Sequence, residues 1–271
     1  MFFPDSIDLS ETEKYILALR IQADSFSFAI RNPEVSNGYV YRQTAFNPDT
    51  SYIQQVQKTI FDLSFLTQSF KQIWVEMVST RFSLVPEEFY DTKHREYYLE
   101  KTLHGDTGYV VSERLETEQT RILFDMDKEV YEFLSRNLSS PTFTHHISSL
   151  AKICNSHPGK TELFSKMFLY FHDGQMDVVV IRNGKTLFAQ SFTDKKNANL
   201  FYHTMNIWKA CEMNQLNDRL FLMGDMQAYG ELQPLFCKYI QFVNAKGIPS
   251  EAFLLGQDAQ QTPFDLFGIL L

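Results

Sequence analysis

Nowhere does this chain run to about 18 consecutive apolar residues, which excludes an ordinary membrane-spanning helix. Its opening, MFFPDSIDLSE, has no basic segment and no apolar run of secretory length, so a cytoplasmic location is expected. Cysteine is scarce: Cys154, Cys211 and Cys237 are odd in number, without CxxC spacing, and read as free, buried thiols of a reducing compartment. Positive charge is short as well, with 25 Lys and Arg against 33 Asp and Glu, a net charge of −8. Without a basic stripe the phosphate-neutralising attraction that drives nucleic-acid binding is missing, so no nucleic-acid partner is expected. The patterns GxxxxGK[ST], GxGxxG, HExxH and GxSxG are absent. Gly159-Lys160-Thr161 imitates the end of the first but lacks its upstream glycine and strand.

What is present suffices for a large core: 271 residues, 44% apolar and 21% charged. Phenylalanine is abundant, 25 with 13 tyrosines besides, and reads as core packing rather than a stacking platform. The chain also repeats itself. YILALRIQADSFSFAIRN, then NGYVYRQTAF, lies over KMFLYFHDGQMDVVVIRN, then GKTLFAQSF, so that Ile30-Arg31-Asn32 falls on Ile181-Arg182-Asn183 and Ala45-Phe46 on Ser191-Phe192.

In the first copy the alternation predicts strands at 15–23, 25–32 and 39–46, a helix over 51–70 capped by Asp49 or Thr50, a strand at 72–78 and a helix from Pro86. The second copy predicts strands at 167–172, 176–182 and 185–192, a helix over 197–213, a strand at 219–223 and a helix through 232–240. Asn37-Gly38 and Asn183-Gly184 supply residues that tolerate the positive φ of a hairpin turn, so a turn is expected at each. Between the copies, 109–115, 120–125 and 142–146 read as strands, with helices over 127–137 and 148–155. His157-Pro158-Gly159 is the breaker chosen as the boundary between lobes 1–157 and 158–271. The apolar end, PFDLFGILL, is expected to pack rather than trail.

A three-strand meander, helix, strand and helix, present twice, resembles the actin-like ATPase fold. That resemblance implies an α/β protein of two ribonuclease-H-like lobes, each a mixed sheet flanked by helices, facing each other across a cleft. It is strongest with the bacterial cell-division and pilus-assembly branch, through Asp177, Arg182-Asn183-Gly184, Met223-Gly224-Asp225, and Thr142–Ser148 followed by Leu150-Ala151. More narrowly, RFSLVPEEFY at 81–90 and the pattern at His146–Leu150 resemble the domain of unknown function 3822 family of Bacteroidetes proteins.

Members of that fold that hydrolyse ATP carry an acid-x-glycine loop after the first strand of each lobe, the acid for Mg²⁺ or water and the glycine for backbone approach to phosphate. Counted back from Asp177, the acid's place holds Tyr170 and the glycine's His172; in the first lobe they fall on Leu19 or Ile21 and on Ile21 or Ala23. The residues left for a nucleotide, with ATP and Mg²⁺ as the implied cofactors, are Asp24, Asp173, Gly174, Gly224 and Asp225. The expectation is therefore a degenerate actin-like protein without catalytic or metal-binding residues, a regulatory or interaction scaffold for a protein partner. The alternative is an ATP-binding protein with weak or no hydrolysis.

Other groupings read as structural. His145, His146, Cys154 and His157 match no zinc spacing, and neighbouring strand histidines point to opposite faces. Asp125-Met126-Asp127-Lys128-Glu129 reads as a helix cap with first-turn acids. His172 has no partner identifiable from sequence.

Overall fold

Each half of the chain starts with strands that turn back on themselves, because a two-residue turn separates two long apolar runs in each. The computed structural model describes residues 7–103, 105–115, 119–155 and 163–270. In the first half β1 (Ile16–Ile21), β2 (Ser25–Arg31) and β3 (Tyr39–Ala45) form an antiparallel meander. After α1 (Tyr52–Asp62), β4 (Gln72–Met77) returns parallel to β1. An inserted antiparallel sheet follows: β5 (Phe82–Pro86), α2 (Arg95–Thr102), β6 (Tyr109–Arg114) and β7 (Thr120–Met126), in the order β5-β7-β6. Then come α3 (Lys128–Asn137), β8 (Thr142–His145) and α4 (His146–Cys154), and the main sheet reads β3-β2-β1-β4-β8.

The second half repeats this order. β9 (Lys166–His172), β10 (Gln175–Arg182) and β11 (Lys185–Phe192) form the meander; α5 (Asn197–Ala210) leads to β12 (Arg219–Gly224), parallel to β9. Short helices α6 (Met226–Tyr229) and α7 (Leu232–Phe236) precede the edge strand β13 (Phe242–Ala245), completing the sheet β11-β10-β9-β12-β13. The chain closes with α8 (Ser250–Leu255), α9 (Gln257–Gln261) and α10 (Phe264–Leu270). This is a mixed α/β architecture with one sheet order present twice, as the duplicated sequence predicts.

The chain divides into two compact units. Unit 1 comprises residues 1–114, 120–149 and 248–271; unit 2 comprises 115–119 and 150–247. The boundary expected at 157/158 lies outside the described residues. Residues 248–271, placed with the second lobe on sequence, group with unit 1, where Leu266, Phe267 and Leu270 of α10 pack on Ala18, Ala29 and Tyr39. The small side chains of Ala18 and Ala29 let the helix approach the sheet. In unit 2 one face of the sheet, Met167, Leu169, Phe171, Val178 and Val180, buries Leu200, Ile207 and Trp208 of α5 and Phe236 of α7.

Several expected boundaries shift for local reasons. The helix predicted over 51–70 stops at Asp62, because Leu63 leaves helical geometry (φ −106°, ψ 60°), and its N-cap is Ser51 rather than Asp49 or Thr50. The helix predicted from Pro86 is instead the end of β5 and a single turn, Glu87–Phe89. A proline is tolerated there because β5 is an edge strand. Positive φ at Glu212 follows the early end of α5.

Candidate functional site

β9 and β10 are joined by Asp173-Gly174, with φ of 48° and 73°. Positive φ at both positions is what a tight hairpin requires, and Asp and Gly tolerate it. The turn places His172 at the end of β9 with its side chain 6% exposed and its ring stacked on Tyr170, centroids 4.3 Å apart. His172 is not the solitary residue that the sequence implies. Its Nδ1 lies 2.8 Å from Asp173 Oδ2 and its Nε2 lies 2.6 Å from Asp177 Oδ2, with the Gln175 amide 3.1 Å away. Asp177, fully buried, also accepts from Ser191 Oγ. Each ring nitrogen faces a carboxylate, so Asp173 and Asp177 are already engaged by protein.

Gly224, at the end of β12, is adjacent in the same unit: it pairs with Phe171, and Asp225 N donates to Phe171 O at 2.8 Å. Asp225 accepts from Gln227 N at 2.9 Å and caps α6. Four of the five sequence-predicted residues, Asp173, Gly174, Gly224 and Asp225, therefore gather at one end of the unit 2 sheet. Asp24, exposed in the β1–β2 turn, belongs to unit 1.

The pairing also relocates the first-lobe position. β1 and β2 turn through Ala23-Asp24, with Gln22 N donating to Ser25 O, as β9 and β10 turn through Asp173-Gly174. Counting back from each turn, the partner of Tyr170 is Arg20 and that of His172 is Gln22, not Leu19 or Ile21 and not Ile21 or Ala23. The sequence overlay misplaced them because Arg31 lies opposite Ile16 whereas Ile181 lies opposite Lys166, so β10 runs one residue further before turning. A shift of one residue along a strand exchanges its two faces.

Arg20 is 1% exposed, and its Nε lies 2.7 Å from Asp265 Oδ2 and 3.9 Å from Glu76 Oε2. Glu76 sits beside it in the parallel β1–β4 ladder. Burial holds the Glu76 carboxyl well above the usual carboxylate range; Asp265 adds to that, while Arg20 and Ser149 oppose it. Sequence reasoning missed this trio. Its signal is a lone charge in each of two apolar strands, ILALRI and QIWVEM, at matching register.

The two histidines at the β8–α4 junction do not point to opposite faces as expected. The strand ends at His145 and the chain turns into helix, so their rings lie 4.4 Å apart. His145 Nδ1 accepts from Ile147 N, and Glu113 of β6 accepts from Thr144 Oγ1 at 2.9 Å and Ser148 Oγ at 2.7 Å. His157 lies outside the described residues. Asp127 caps α3 by accepting from Val130 N at 3.0 Å, the role read for it from sequence, whereas Asp125 takes a bidentate contact from Arg81 that the sequence reading did not foresee.

Among the described residues no helix is long and apolar enough to cross a membrane. The family described as "Protein of unknown function (DUF3822)" matches residues 4–243. A Bacteroides thetaiotaomicron protein with actin-like ATPase fold and unknown function superposes with a TM-score of 0.79 at 23% identity, over 93% of this chain and 99% of that one. The PilM–PilN type IV pilus biogenesis complex superposes with a TM-score of 0.55 at 11% identity, over 94% and 96%. These likenesses show the actin-like ATPase fold. No curated protein matches the chain.

Proposed function

The chain belongs to the DUF3822 family, and on that premise we propose that it is a nucleotide-independent scaffold that acts by binding a protein partner in the cytoplasm. One observation carries this reading. Where ATP-hydrolysing members of the fold need a carboxylate, unit 1 has Arg20, a buried guanidinium ion-paired to Asp265, and unit 2 has Tyr170, 2% exposed and stacked on His172. A fixed buried cation repels Mg²⁺ instead of holding it, and a tyrosine supplies no charge. The glycine places hold Gln22 and His172, side chains where a glycine would let backbone N–H groups approach a phosphate. The pilus complex of the same fold pairs one protein with another. Three free cysteines accord with a reducing compartment.

A nucleotide titration tests the reading. A ligand that binds only the native state stabilises it by about 2.7 kcal/mol at a hundred times its dissociation constant. Millimolar Mg-ATP, Mg-ADP and Mg-GTP are expected to leave the melting temperature unchanged. A shift that vanishes in Asp173→Ala or Asp225→Ala would establish the ATP-binding alternative and end the scaffold reading.

A further inference from the structure

Unit 2 carries another feature at the end of its sheet away from Asp173 and Gly224, where β9, β12 and β13 begin and α5 finishes. One cavity of about 520 Å³ is lined by Met205, Trp208 and Met213. A second of about 500 Å³ is lined by Leu163, Phe164 and Phe242, and Leu216, 67% exposed, lines both. Two hydrogen-bond donors here lack acceptors. Trp208 is 2% exposed, and its Nε1 is buried with no partner among the described residues. Arg219 Nε is likewise buried with no partner among the described residues, its guanidinium 4.1 Å from the Phe164 ring and 5.7 Å from that of Phe242. Buried donors of native proteins are almost always satisfied, so both call for an acceptor that the described residues do not supply. Lys209 is the charged residue of the two linings and none is acidic, in a chain of net charge −8.

We propose that this surface docks an acidic, extended segment of a protein partner. A carboxylate of the segment meets the Arg219 guanidinium, a backbone carbonyl accepts from Trp208 Nε1, and apolar side chains settle on either side of Leu216. The phenylalanine rings flanking Arg219 hold its fork in place and exclude water, which strengthens a bidentate carboxylate contact. Hydrogen-bond donors set among apolar walls suit a peptide better than an inorganic anion. The proposal deepens the scaffold reading and rests on it; the nucleotide titration addresses that reading separately, so the two can fail independently.

The test selects twelve-residue peptides with a central glutamate from a display library against the full chain, then synthesises the enriched sequence with that glutamate and with glutamine. Binding is followed by the NMR resonance of the Trp208 indole N–H. The expected result is a downfield shift on titration, with about tenfold to a hundredfold weaker binding of the glutamine peptide. Trp208→Phe, which removes the donor together with part of the ring, should weaken binding about threefold to tenfold. Arg219→Gln should erase the preference for glutamate. Leu216→Glu, at an exposed position that leaves the fold intact, should abolish binding by repulsion. No enriched peptide, unchanged affinity in these variants, or occupation of the surface by a second copy of the chain would each overturn the proposal.

Discussion

Arg20 Nε donates to Asp265 Oδ2 at 2.7 Å across 245 positions of sequence, and neither side chain exposes more than 1% of its surface. The contact ties the final helix α10 to the central strand β1. Breaking a buried pair leaves a charge without compensation, which costs about 3–5 kcal/mol. Asp265→Ala is therefore expected to lower stability by about that amount, measured by urea unfolding. Replacing both partners by apolar residues, as Arg20→Met with Asp265→Leu, should recover most of the loss.

Glu76 imposes a pH dependence of definite sign. Its folded-state pKa is raised, foremost by complete burial, while the unfolded chain titrates near the ordinary glutamate value of 4.5. Between these values the folded state holds a proton that the unfolded chain has released, so stability is greatest below the window and declines as pH rises through it. Glu76→Gln should flatten that decline. Unfolding free energies at pH 5 and pH 8, compared for the two proteins, check it; equal slopes would mean that Glu76 is ionised in the fold.

The three thiols should differ in reactivity. Burial pushes Cys154 up to about 12 and also raises Cys211, whereas Cys237, expected from sequence to be buried with them, is exposed just after the short helix α7. The thiolate is the reactive form. A disulfide reagent at pH 8 is expected to modify Cys237 rapidly, with Cys154 and Cys211 reacting only after denaturation. Cys237→Ser would then remove the fast phase.

Most of the architecture was legible because strands, turns and helices write their own periods. Asn183-Gly184 marked a turn that the backbone forms with φ of 53° and 71°. β13 went unread because its four residues, FVNA, are mostly exposed at the sheet edge and show no alternation. The first-lobe acid position was missed by one residue because the overlay aligned strand ends, whereas the ladder is set by the turns. Arg20 and Asp265 could not be paired from sequence because tertiary packing alone brings them together, whereas His172 and Asp177 lie five residues apart across the β9–β10 hairpin and follow from its register. The sparse glycines at the candidate site were legible as a departure from the fold's usual pattern. What replaces them required the side-chain contacts.

Gly224 separates a structural role from a nucleotide role. Its φ is 85°, and a Cβ built there would stand 2.1 Å from Phe171 O and 2.9 Å from the Tyr170 ring. An alanine must therefore displace the β9–β12 ladder as well as adopt a left-handed backbone, which alone costs about 1–3 kcal/mol. Gly174, with φ of 73°, has nothing within 4 Å of the same built atom. Gly174→Ala should thus lose only the backbone contribution, and Gly224→Ala distinctly more, read as melting temperatures without any added ligand. Equal losses would show that β9 yields to the extra methyl group. Gly224 would then owe its place to something other than the close approach of two strands.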